Sequence, residues 1–148
     1  MEQKQERLQH ANDLIQVIAA YGRRFFFHGG VNVYDPHTKT TVFVPASRYA
    51  RLELRTGHVW FIDDYSEKAV YVQKTGFGNS WKGFSHGGTL RSLVEDMRDY
   101  ITSGTKISRW KIATEQISGD SDIWGYGKEE SEAVREAAFA LPIMDATK

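Results

Sequence analysis

With 148 residues, 41% of them hydrophobic and 13% aromatic, the chain suits one domain with a single core that needs no covalent staple, and 26% charged residues argue against global disorder. Its 19 basic residues balance its 19 acidic ones, which excludes both the strongly basic surface of a nucleic-acid coat and the strongly acidic surface of a nucleic-acid mimic. There is no cysteine, so disulfides, thiolate metal sites and a cysteine nucleophile are excluded; with a polar start, MEQKQERLQHANDL, and apolar runs far short of the ~20 residues that span a bilayer, the expectation is a cytoplasmic protein that does not enter a membrane.

Residues 3–21 read as an amphipathic helix. Leu8, Ala11, Leu14, Ile15 and Ile18 recur every three or four positions, and Gly22 is placed to stop it. Such a helix can cover a sheet or serve as a homodimer interface. Over residues 23–74 the period drops to about two. RRFFFH, VNVYD, TTVFVP, YARLELR, VWFIDD and AVYVQK are short segments rich in β-branched and aromatic residues. Turn signals separate them at Gly29-Gly30, Asp35-Pro36-His37, Pro45-Ala46-Ser47, Thr56-Gly57-His58 and Tyr65-Ser66-Glu67. Short connections favour antiparallel neighbours, so the reading is an antiparallel meander of five or six strands.

Residues 75–88, TGFGNSWKGFSHGG, form a glycine-rich aromatic loop, and a central helix follows over about 89–103. Leu90, Leu93, Val94, Met97 and Ile101 make its stripe, Gly88 or Thr89 can cap it, and Gly104 can end it. KISRWKIATEQI suits an edge strand or a poor helix. SGDSDIWGYG reads as a loop, and KEESEAVREAAFAL as a short helix with glutamates in its first turn, closed by Pro142. One sheet covered by helices makes residues 1–148 a single α+β domain.

The pattern Phe-x-His-Gly-Gly occurs twice, at Phe26–Gly30 and Phe84–Gly88. In the first copy Gly29-Gly30 suits a two-residue hairpin turn that ends a strand at His28. The second copy precedes the central helix, where unpaired N–H groups and the helix dipole attract anions. Trp81, Lys82, His86, Gly87, Gly88, Thr89 and Arg91 are therefore the candidate site for a nucleotide or another small phosphorylated ligand, although neither a Walker nor a dinucleotide pattern is present. No metal-binding spacing links the histidines, and neither a metal nor any other cofactor is expected. Asp63-Asp64 alternates across a strand and reads as a turn. Glu53-Leu54-Arg55 with an upstream Asp35 only faintly matches part of a nuclease motif.

SRYARLELR interleaves Arg48, Arg51 and Arg55 with Tyr49 and leucines. Residues 20–60 hold six cations against two anions, whereas residues 101–148 hold six against eight. With the loop aromatics Trp124 and Tyr126, the arginine strand forms the candidate partner surface, since Trp, Tyr and Arg dominate protein interfaces. The same basic and aromatic mixture on a sheet suits single-stranded nucleic acid, but zero net charge favours a protein partner. No nucleophile signature is present, and a non-enzymatic interaction protein is expected; were there catalysis, location alone would make His86 the acid or base. A small, cysteine-free, charge-balanced chain of this kind is similar in type to accessory proteins of bacteriophages and mobile elements that bind and inhibit a host or defence factor.

Overall fold

The computed structural model describes residues 2–22, 26–65, 67–72, 88–108 and 128–145. Helix α1 spans Glu2–Gly22. The stripe read from the sequence is its covered side: Ala11, Leu14, Ile15 and Ile18 are inaccessible to solvent, and Leu8 is partly covered. Five antiparallel strands follow: β1 (Phe27–Asp35), β2 (Thr40–Tyr49), β3 (Arg51–Arg55), β4 (His58–Ile62) and β5 (Ala69–Tyr71). After them come α2 (Gly88–Ser103), β6 (Ile107–Ser108), α3 (Lys128–Phe139) and β7 (Met144–Asp145). The α+β arrangement of antiparallel strands and three helices expected from the sequence is the one the chain adopts.

The meander is divided between two sheets. Among the described residues β1 and β2 pair only with each other, and β3-β4-β5 form a second sheet in that order. Ala50 alone separates β2 from β3, and its N–H donates to the Phe26 carbonyl at 2.9 Å, which ties the base of the hairpin where the chain changes sheets. Thr56 and Gly57 both have positive φ, at 49° and 83°, which is the two-residue turn that suits the twist of β3 and β4. At the tip of β1–β2 the Asp35 carboxylate accepts the His37 N–H at 2.9 Å, and Lys39, at φ 57°, donates its N–H to the Asp35 carbonyl.

Two expected turns are strand instead. Gly29-Gly30 does not reverse the chain: β1 runs through it, and the register with β2 slips between His28 and Gly30. The extra residue of the bulge is in β2, where Ala46 and Ser47 stand against Gly29, so the first Phe-x-His-Gly-Gly copy lies within one strand and makes no hairpin. Pro45-Ala46-Ser47 likewise lies within β2. Both stretches carry residues that favour turns, but Pro45 sits opposite Gly30 at the irregularity, where an unbroken ladder is not required.

The three-stranded sheet alternates as a half-buried sheet should. Leu52, Val59, Phe61 and Val70 point into the core with Phe26, whose ring meets Phe61 at a centroid distance of 5.9 Å. α1 packs on β3, α2 and α3 at once. Its apolar stripe is thus covered inside the molecule. α2 adds Leu93, Val94, Met97 and Ile101, as its sequence stripe predicts, and α3 adds Val134 and Ala138. Gly104, at φ 81°, ends α2 by donating to the Tyr100 carbonyl at 2.8 Å. Ile107–Ser108, the start of the ambiguous segment, pairs in parallel with β7, a pairing not expected from the sequence. Residues 109–127, including Trp124 and Tyr126, lie outside the described residues.

Candidate interaction surface

Alternation that sends Leu52, Val59 and Phe61 inward sends Arg51, Glu53, Arg55, His58 and Trp60 to the opposite face of the sheet. Register places Glu53 opposite Trp60, Arg55 opposite His58 and Trp60 opposite Tyr71. The result is a row of charge beside a row of rings. Arg51 and Arg55 both donate to Glu53, at 2.8 and 2.9 Å, and together hold its carboxyl below the ordinary glutamate value, Arg55 contributing most. The row therefore carries one net positive charge. Trp60 and Tyr71 meet at 5.3 Å, the His58 ring stands edge-on to Tyr71 at 5.7 Å, and the Arg55 guanidinium lies 5.8 Å from the Trp60 ring centre.

Of the residues singled out from the sequence, Arg51 and Arg55 share this face. Arg48 and Tyr49 belong to the base of the hairpin. Arg48 reaches the Tyr65 carbonyl at 3.5 Å and Glu67 at 3.8 Å, both long contacts, and the Tyr49 ring packs on Phe27 at 5.2 Å. Trp81, Lys82, His86 and Gly87 lie outside the described residues, as do Trp124 and Tyr126. Gly88 and Thr89 open α2. Arg91 is half-buried in its first turn, and its Nε has no hydrogen-bond partner among the described residues.

His58, Trp60 and Tyr71 were not singled out from the sequence. The signal was present: in His58–Ile62, Trp60 falls out of phase with Val59 and Phe61, and period two assigns it to the outer face. A run as apolar as VWFI hides that phase, because most of its residues suit a core.

The other chemical candidates have structural roles. Asp63 and Asp64 are buried in the turn after β4, where the Asp63 carboxylate accepts the Tyr65 N–H at 3.1 Å. Asp35 belongs to the hairpin tip and Glu53 to the arginine row, so the faint nuclease pattern does not gather. Among the described residues no three His, Asp or Glu side chains could hold a metal ion, and no helix is long and apolar enough to cross a membrane. A cleft lined by Asp96, Asp99, Lys106 and Ser108 encloses about 180 Å³, below the roughly 300–1,000 Å³ of small-molecule sites.

Comparison with known proteins gives one family. The family model described as YoqU matches residues 1–148. The chain is 27% identical over 140 residues to the SPbeta prophage-derived uncharacterized protein YoqU of Bacillus subtilis (strain 168), a match covering 95% of this chain and 84% of that protein. No solved structure matches.

Proposed function

The chain belongs to the YoqU family, and on that premise we propose that it is a small non-enzymatic accessory protein of a bacteriophage or mobile element that binds, and by binding inhibits, a protein partner. The prophage origin of its relative supports the setting. The carrying observation is the outer face of β3-β4-β5, with Trp60 and Tyr71 in contact beside a row of paired arginines. Tryptophan, tyrosine and arginine carry most of the energy at protein interfaces, because they bury large areas at low entropic cost and offer directed hydrogen bonds.

The face also supports a particular chemistry for that partner. Glu53 already occupies both guanidinium groups, so an incoming carboxylate competes with it or shares the outer donors. The complementary segment is acidic and carries an apolar side chain for the rings. Nuclease-treated host lysate passed over the immobilised protein tests this. A captured protein should be lost with Trp60→Ala combined with Arg55→Ala at unchanged melting temperature, and should be eluted by an acidic aromatic peptide. Capture that survives both changes refutes the reading.

One observation favours a second reading. An arginine beside a tryptophan on an open sheet is also the platform on which unpaired bases stack. Single-stranded oligonucleotide binding that weakens steeply with salt would support it. The central Glu53 and the single net charge of the row rank it below the protein partner.

A further inference from the structure

The β1–β2 hairpin extends beyond the core. Val33 and Val42 are each 47% exposed, Val44 45%, Tyr34 60% and Phe43 57%. Register puts Val33 and Val42 on one face, with Val44 on the same side, and Tyr34 and Phe43 on the other. The arm is thus apolar on both faces and belongs to neither side of the core. Among the described residues its two strands have no further neighbour, so each keeps an open edge. A lone two-stranded hairpin is marginal in water, and an open apolar edge invites another chain.

We infer that this edge is closed by a second copy of the chain, with β2 adding antiparallel to its own counterpart about a twofold axis at Val42. The segment available is bounded. Lys39, with positive φ, starts it and Pro45, which has no N–H, ends it, leaving Thr40–Val44. That segment is centred on Val42, so self-pairing sets Thr40 against Val44 and Thr41 against Phe43. Every cross-strand pair is β-branched with β-branched or with aromatic, the favourable kinds, and none sets like charges opposite. The segment contains no charged residue at all, so it lacks the lysine or glutamate with which a soluble edge strand commonly repels its own copy.

The seam is small. Pairing along β2 brings Val42, Phe43, Val44 and the two threonines against their counterparts, while Val33 and Tyr34 stay one strand away from it, so the dimer expected is a weak one that fills at high concentration. The product is a four-stranded sheet, β1-β2-β2-β1, with no need of another protein, and a twofold contact of this kind closes on itself.

Two measurements decide it. Light scattering at about 100 µM, where even a micromolar interface is occupied, should give twice the chain mass for the wild type and the chain mass for Val42→Lys, which sets two ammonium groups against each other on the axis. Because the chain has no cysteine, Val42→Cys should oxidise to a covalent dimer without altering the fold. Lys39→Cys should not, since self-pairing holds its two copies about 20 Å apart at ~3.3 Å per residue. A monomeric wild type overturns the inference. So does a dimer that Val42→Lys leaves intact, or equal cross-linking at positions 39 and 42. If Val42→Lys does not fold, the two cysteine variants decide alone.

Discussion

Asn12 does the work of a missing strand. Leu52 turns its N–H and C=O to the outer edge of β3, where the three-stranded sheet has no further strand among the described residues. The Asn12 side chain takes both, accepting from the Leu52 N–H at 2.7 Å and donating to its carbonyl at 3.0 Å. One amide thereby satisfies an edge that would otherwise be sealed unpaired beneath α1, and it fixes the helix against the sheet. Removing it leaves two backbone groups without partners in a partly buried junction. Asn12→Leu, which keeps the branching at Cγ but has no polar atom, should lower the unfolding free energy by about 2–3 kcal/mol, with the denaturant slope unchanged in urea titration. Asn12 borders the sequence stripe, four residues after Leu8 and three before Ile15, but periodicity does not say what its amide meets. The sequence locates the helix; only the meeting of helix and strand identifies the residue that joins them.

The elements most legible in the sequence were those whose pattern repeats. The stripes of α1 and α2 are covered as read, Leu8 in part and Leu90 lying outside the described side chains, because a helix that shows one apolar face has one way to cover it. The hairpin is ambiguous at its glycines, because Gly-Gly between two apolar runs suits a turn and a strand lying opposite a bulge equally well. What separates them is a tertiary fact: the Phe43 ring lies over Gly30. A Cβ on Gly30 would come within 2.4 Å of that ring and 2.6 Å of the Val44 carbonyl oxygen, at a φ of 152° that side chains rarely adopt. The ring can swing away, but the carbonyl belongs to the paired strand. Gly30→Ala should therefore disturb the register of the arm at a cost of about 1–3 kcal/mol. Hydrogen exchange should show protection lost over residues 31–44 while the amides of α1 and α2 stay protected. Uniform loss across the protein would mean that the arm is not a separate unit. The interaction face was half legible for a related reason. Arg51 and Arg55 stand out in a leucine strand, whereas Trp60 is concealed among other apolar residues until pairing assigns it a side.

Across the whole molecule, charge sets different limits at the two ends of the pH scale. Glu53 is held below its ordinary value of 4.5, first by the hydrogen bond from Arg55, with burial opposing it next and the Arg51 hydrogen bond and the charges of both arginines completing the lowering. A carboxyl more acidic folded than unfolded stabilises the fold above its unfolded value, and that contribution disappears as pH falls through its folded value. Tyr100 behaves in the opposite sense. Burial raises its phenol above the ordinary 10.0, and its hydroxyl meets the His10 Nδ1 at 2.7 Å. Its contribution is complete below 10.0 and is lost as pH climbs towards the folded value, because the unfolded chain ionises first. The two groups lie in different contacts, Glu53 on the open sheet face and Tyr100 between α1 and α2, so their effects should add. Melting temperature followed from acid to alkaline pH should thus give a plateau with two independent limbs. Glu53→Gln should make the acid limb shallower and leave the alkaline limb unchanged. Tyr100→Phe should make the alkaline limb shallower and lower the plateau by a few degrees, corresponding to about 1 kcal/mol for the lost hydrogen bond, with the acid limb unchanged. If Glu53→Gln instead shifted both limbs together, the carboxylate would be supporting the fold through packing rather than through its charge.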